Sequence, residues 1–157
     1  LRSAHMLGNE EEIIFAATDL LADTKLAPEL SNEAHYYRAK AYLDAGKTDG
    51  AMEDLKVLAK DTRNVYGAEA KYKVAQIYFD GGQTDKAEQE VLNYIEVSTP
   101  HTYWLARSFV LLADVYMKLG RNLDAKQYLL SLKQNYQADD DIAGMIESRL
   151  EKLKTEN

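Results

Sequence analysis

The sequence has no cysteine among its 157 residues, which excludes disulfide bonds, thiolate metal sites and a cysteine nucleophile. It also lacks any apolar run near the roughly 18 residues that are needed to cross a bilayer. Basic residues number 19 against 26 acidic ones, and the net charge of −7 disfavours nucleic acid and anionic lipid surfaces as partners. The composition therefore indicates an acidic chain with room for one domain, and it leaves the compartment open.

Groups that could perform chemistry are equally scarce. The three histidines, His5, His35 and His101, lie far apart, and none belongs to the spacing of a metal site or a hydrolase. The "DGG" at residues 80–82 lacks the preceding strand and the further glycine of a phosphate-binding loop. We therefore predict a non-enzymatic protein with no cofactor and no metal site.

What the chain does have is a sequence that occurs three times. The copies read "HYYRAKAYLDAGKTDGA", "KYKVAQIYFDGGQTDKA" and "FVLLADVYMKLGRNLDA", and they begin at His35, Lys71 and Phe109. Four positions hold the same residue type in every copy, namely Ala39, Ala75 and Ala113, then Tyr42, Tyr78 and Tyr116, then Gly46, Gly82 and Gly120, and finally Ala51, Ala87 and Ala125. The spacing inside the copies is constant, so we expect one structural unit repeated three times.

Each copy shows two amphipathic helical segments separated by the glycine. In the second copy, apolar residues from Ala70 to Tyr78 recur at intervals of three and four, and Ala87, Val91 and Tyr94 do so after the glycine. Glycine tolerates the positive φ of a tight connection. We predict a helical hairpin with closely packed alanines, and we expect the second helices to be capped by Thr48, Thr84 and Asn122.

This pattern resembles the tetratricopeptide repeat family. The third copy is the most similar, because Phe109, Leu112, Ala113 and Tyr116 follow the family's order of bulky, Leu, small and aromatic residues. The first copy departs from it at His35 and Arg38. The resemblance implies an all-α fold, a right-handed α-α superhelix of about three full helical hairpins with a partial N-terminal repeat and a C-terminal capping helix. The predicted single domain, 1–157, comprises a partial repeat (1–24), three repeats (32–61, 68–98 and 106–136) and a capping helix (139–154).

Both ends of the chain fit this division. Gly8 aligns with the repeat glycine, only the tail of a first helix precedes it, and the sequence starts with Leu1 instead of Met. We therefore expect a segment of a longer protein. At the other end, apolar residues on one stripe, with acidic residues first and lysines last, are typical of a capping helix; the stripe is Ile142, Met145, Ile146, Leu150 and Leu153.

In such a fold the first helices line a concave face, and we predict that this face binds a peptide or a partner protein. Its predicted contact residues are Tyr36, Lys40, Leu43, Tyr72, Gln76, Phe79, Val110, Asp114 and Met117. The carboxylate clamp of the family's chaperone-binding members is not matched at these positions, so we do not expect an EEVD-type tail as ligand. Tyr103 and Trp104 are either a further anchor for a partner or packing between repeats.

One alternative to the scaffold function stays open. The chain could instead terminate a longer repeat array and self-associate as a homodimer through its N-terminal repeat, with Ile13, Ile14, Phe15 and Leu20 as contacts. RNA-reading helical repeats of similar period are disfavoured, because no basic stripe is present. The tyrosine-rich, slightly lengthened repeats are also similar to those of bacterial cell-envelope proteins, periplasmic or associated with the outer membrane, and this resemblance alone suggests a location.

Overall fold

The all-α class predicted from the repeats is confirmed. The computed structural model of the chain describes residues 9–97 and 99–155, and in these residues it contains helices and no strand. In chain order the helices are α1 (Glu10–Leu21), α2 (Pro28–Asp44), α3 (Thr48–Leu58), α4 (Val65–Asp80), α5 (Thr84–Glu96), α6 (Thr102–Lys118), α7 (Asn122–Asn135) and α8 (Ile142–Thr155). None of these helices is long and apolar enough to span a membrane. His5 and Gly8 lie outside the described residues.

The chain divides into two compact units, Leu1–Val74 and Ala75–Asn157, and the division falls within α4. In the first unit α1 packs on α2, and α2 packs on α3. In the second unit α6 packs on α5, α7 and α8, and α7 also packs on α8. Within each unit, these pairs of helices that follow one another in the sequence are neighbours in space, as expected of helical hairpins.

The small residues of the repeat lie in the cores of the hairpins. All six repeat alanines are buried, with exposed fractions of 0% or 1%; they are Ala39, Ala51, Ala75, Ala87, Ala113 and Ala125. A methyl side chain lets two helix backbones approach closely, so a larger side chain would overpack the contact. Of the three repeat tyrosines only Tyr116 is buried, whereas Tyr42 and Tyr78 are half-buried.

The three glycine turns share one hydrogen-bonding pattern. Gly46, Gly82 and Gly120 have φ angles of 74°, 80° and 76°. At the first turn the Gly46 N–H donates to the Leu43 carbonyl at 3.0 Å, and the Lys47 N–H donates to the Tyr42 carbonyl at 2.7 Å. This pair of bonds is a Schellman motif, and the other two turns repeat it.

The predicted N-caps of the second helices are wrong by one residue, because the turns are tight. Because each turn closes within a single residue after the glycine, that next residue already occupies the N-cap position of the following helix. The N-caps are therefore Lys47, Gln83 and Arg121, and none makes a side-chain cap hydrogen bond. Thr48, Thr84 and Asn122, which were predicted to cap, are instead the first residues of α3, α5 and α7.

The first hairpin holds a buried ionic cluster where the sequence departs from the repeat. Arg38 binds both carboxylate oxygens of Asp54, with its Nε and Nη2 at 2.8 and 2.6 Å, and His35 Nδ1 lies 2.8 Å from the same carboxylate. Asp54 is 1% exposed. This carboxylate raises the pKa of the Arg38 guanidinium mainly through the hydrogen bond. His35 and Arg38 of α2, which depart from the repeat pattern, thus both form hydrogen bonds with the buried Asp54 of α3.

The third hairpin fills the equivalent positions with aromatic residues. Phe109 and Tyr128, which align with His35 and Asp54, stack with their ring centroids 6.3 Å apart. Leu112 aligns with Arg38 and is fully buried. The same backbone positions therefore accept a polar cluster in one repeat and an apolar one in another.

Tyr103 and Trp104 pack within the second unit. Their rings meet edge to face with centroids 5.0 Å apart, and the Arg107 guanidinium lies 5.8 Å from the Trp104 centroid. The Tyr103 hydroxyl donates to the Asp141 carboxylate at 2.8 Å, next to the start of α8. These contacts favour the packing interpretation of the pair over an exposed anchor.

Candidate functional site

The predicted contact residues are shared between the two units. Tyr36, Lys40, Leu43 and Tyr72 belong to the first unit, and the others belong to the second unit. Lys40 is exposed, and Tyr36 and Leu43 are half-buried.

Two of these residues offer little surface to a partner. Tyr72 is 6% exposed and Val110 is 3% exposed. The expectation that both side chains line an open face is wrong, because each lies on the part of its helix that packs into the core. Sequence spacing placed them on a common face but could not show which way that face turns.

In the first unit, Tyr36 is held in place by its neighbours. Its hydroxyl donates to both oxygens of the Glu69 carboxylate, at 3.1 and 3.2 Å, and the Lys73 ammonium forms an ion pair with the same group. The rings of Tyr66 and Tyr37 lie 4.6 and 5.5 Å away, measured between centroids. Burial, and then the Glu69 charge, raise the pKa of Tyr36 above its ordinary value, so the hydroxyl stays protonated.

In the second unit, three helices form a cleft of about 490 Å³. Three predicted residues line it: Phe79 comes from α4, and Asp114 and Met117 come from α6. The remaining lining residues are Lys118 on α6 and Ser148, Arg149 and Lys152 on α8. Phe79 and Met117 are half-buried and supply apolar surface, and both lysines are exposed.

An ion pair joins two walls of this cleft. Arg149 donates through Nε and Nη2 to the two Asp114 oxygens, at 2.7 and 2.9 Å, and through Nη1 to the Met145 carbonyl at 3.1 Å. Such a bidentate pair fixes both partners in one geometry. Asp114 is therefore occupied within the chain, and it shapes the cleft instead of offering a free carboxylate.

The α8 residues of the cleft were missed from the sequence. Of the apolar stripe that was predicted for a capping helix, Ile142, Ile146 and Leu153 are buried, and Met145 and Leu150 are half-buried. Arg149 and Lys152 lie off this stripe at a spacing of three, which was the available signal of a second, basic face. Gln76, which was predicted to line the groove, donates to Asp80 at 2.8 Å and is not among the cleft residues.

The arrangement of apolar and charged side chains in the cleft is suited to binding. Within residues 9–97 and 99–155, no three His, Asp or Glu side chains come together as a metal site would require. The titratable cleft residues are the Arg149–Asp114 ion pair and two exposed lysines, and the Ser148 hydroxyl of the cleft donates to the Met145 carbonyl at 3.2 Å.

Comparison with known families gives matches to two segments of the chain, in the first and third copies of the repeated sequence. Residues 33–61 and 106–135 each match a model described as tetratricopeptide repeat. Two segments of the chain are thus similar to tetratricopeptide repeats. Repeats of this family generally mediate protein–protein interaction and are generally non-catalytic. No curated protein and no solved structure gave a match.

Proposed function

We propose that these tetratricopeptide repeats form a non-catalytic scaffold that binds a peptide or a segment of a partner protein. The observation that supports this proposal is the cleft of the second unit, in which Phe79, Asp114 and Met117 come together with α8. Apolar contact from Phe79 and Met117 would supply affinity, and the polar rim would set orientation. The rigid Arg149–Asp114 pair would keep the cleft preformed, which lowers the cost of binding.

The surface around Tyr36, Lys40 and Leu43 is a second part of the proposal. Tyr36 is held by Glu69 and flanked by Tyr66, so its ring loses little conformational freedom when a partner covers it. The half-buried Leu43 adds apolar surface, and the exposed Lys40 adds a positive charge. The resemblance to cell-envelope repeats gains no support from the two matched models, and we propose no compartment.

The test is a selection of random displayed peptides on the immobilised chain. We expect a pool that binds the wild type and binds Phe79→Ser and Met117→Ser about tenfold more weakly, because an apolar anchor in a cleft carries a large share of the affinity. The matched control is Leu123→Ser, which removes an apolar side chain that is 70% exposed on α7 and lies outside the cleft. Circular dichroism should show unchanged helix content in all three variants.

Failure of the selection has a clear form. If no pool is enriched, or if enriched peptides bind the Phe79 and Met117 variants as well as the wild type, the cleft is not the binding site.

A second candidate function is self-association through α1. Phe15 is 76% exposed and Leu20 is 39% exposed, so α1 presents apolar surface that the described residues do not cover. Ile13 is buried at 3% and Ile14 is half-buried, which leaves Phe15 and Leu20 as the contacts of this alternative.

A further inference from the structure

The cleft of the second unit is basic in an acidic chain. Its lining has three basic side chains, Lys118, Arg149 and Lys152, against one carboxylate, Asp114, whereas the whole chain carries a net charge of −7. Because Arg149 and Asp114 pair with each other at 2.7 and 2.9 Å, their charges largely cancel. The charge left at the cleft is that of the two ammonium groups.

These two lysines are available to a ligand. Both are exposed, and neither ammonium makes an ion pair with another residue of the described part of the chain. Lys118 is at the end of α6 and Lys152 is in the last turn of α8, so two different helices contribute them. Each also complements the dipole of its own helix, so replacing it affects stability slightly, and a stability measurement must accompany any binding test.

The net charge of the chain does not cancel this local preference. At physiological ionic strength the Debye length is about 8 Å, so charges on remote helices are largely screened from a ligand in the cleft. The electrostatic energy of a ligand carboxylate in contact with Lys118 or Lys152 is set mainly by that lysine. Local charge therefore decides which ligand binds.

We propose that the cleft binds an acidic peptide segment with apolar side chains from a partner protein. The apolar side chains would lie on Phe79 and Met117, and carboxylates on either side would contact Lys118 and Lys152. This inference rests on the proposed function and adds the chemistry of the partner.

The test uses three short fluorescein-labelled peptides with the same Leu and Phe positions and with Glu, Gln or Lys at every other position. In fluorescence anisotropy we expect the Glu peptide to bind most tightly and the Lys peptide most weakly. The double variant Lys118→Gln/Lys152→Gln should weaken the Glu peptide about fivefold, the sum of two exposed ion pairs, and leave the Gln peptide unchanged.

The matched control is Lys60→Gln/Lys126→Gln, which makes the same change of charge at two exposed lysines outside the cleft. It should leave the affinity for the Glu peptide unchanged. Thermal unfolding of both double variants separates a loss of binding from a loss of fold.

Three results would overturn the inference. If the Glu and Gln peptides bind equally and Phe79→Ser weakens both, the scaffold function stands and the acidic preference is wrong. If both double variants weaken the Glu peptide equally, the effect is general charge and not the cleft. If no peptide binds while the display selection yields cleft-dependent ligands of another composition, the partner chemistry is wrong and the function again stands.

Discussion

At the scale of single residues, the same positions of the repeat hold a polar cluster in one copy and an apolar cluster in another. The His35, Arg38 and Asp54 cluster buries a carboxylate that is satisfied by two neighbours, and Phe109, Leu112 and Tyr128 fill the equivalent space with apolar surface. A buried ion pair gains little over a well-packed apolar group, but a buried charge that loses its partner is costly. We therefore expect that removing one member of the cluster destabilises the protein more than replacing all three members.

Removal of one member of the cluster should destabilise the first unit. We expect Arg38→Leu to lower the free energy of unfolding by about 3 kcal/mol, because Asp54 would keep only His35 as partner. The triple variant His35→Phe/Arg38→Leu/Asp54→Tyr, which copies the third repeat, should recover most of that loss. Urea unfolding followed by circular dichroism measures both. An unchanged midpoint for Arg38→Leu would show that the ion pair contributes nothing.

At the scale of elements, the glycine turns set where each hairpin folds back. A Cβ at Gly82 would meet nothing within 4 Å, so only the positive φ of 80° demands glycine there. Gly144 in α8 is also free of neighbours, but it adopts no positive φ. The two positions therefore separate backbone conformation from side-chain space.

Alanine at these two glycines should act in opposite directions. Gly82→Ala should cost about 1–2 kcal/mol, because an L residue pays for the left-handed conformation. Gly144→Ala should add about 0.5 kcal/mol, since glycine inside a helix is less stable than alanine. Chemical denaturation of both variants is the measurement, and a shift of the same sign in both would contradict this account.

The elements show how far the sequence predicts the fold and where it stops. Helical periodicity and the recurring Gly46, Gly82 and Gly120 predict hairpins and turns, because both are local properties of the chain. The predicted N-caps were wrong because the hydrogen bonds of the Schellman motif place the residue directly after the glycine at the N-cap of the next helix. The pairs Arg38–Asp54 and Arg149–Asp114 join residues that are far apart in sequence, and no periodic rule specifies such contacts.

The candidate site was also predicted only in part, because some of its features are local and others depend on contacts between residues far apart in sequence. Phe79, Asp114 and Met117 follow from repeat spacing and do line one cleft. The burial of Tyr72 and Val110 depends on which way each helix turns, and the basic wall depends on where α8 packs. Both are tertiary properties that one repeat compared with another cannot show.

At the scale of the whole molecule, charge and exposed apolar surface decide what the chain can associate with. A net charge of −7 makes copies of the chain repel one another over distances within a Debye length, and salt weakens this repulsion. Apolar surface on α1 opposes it, because burial of Phe15 against a second copy would contribute about 1.5–3 kcal/mol per side chain. Self-association is thus expected only where salt weakens the charge repulsion and Phe15 is buried against a second copy.

The oligomeric state tests this alternative directly. If α1 mediates self-association, light scattering should show a dimer fraction that grows with protein concentration and with salt, and Phe15→Ser should abolish it. Leu123→Ser removes an apolar residue of similar exposure from α7, 70% against 76% for Phe15, and should leave the dimer fraction unchanged. A monomer at every concentration, or a dimer that both variants retain, would exclude the α1 interface. Because the cleft residues of the second unit are not changed in either variant, peptide binding should persist in both and would show that the two functions are independent.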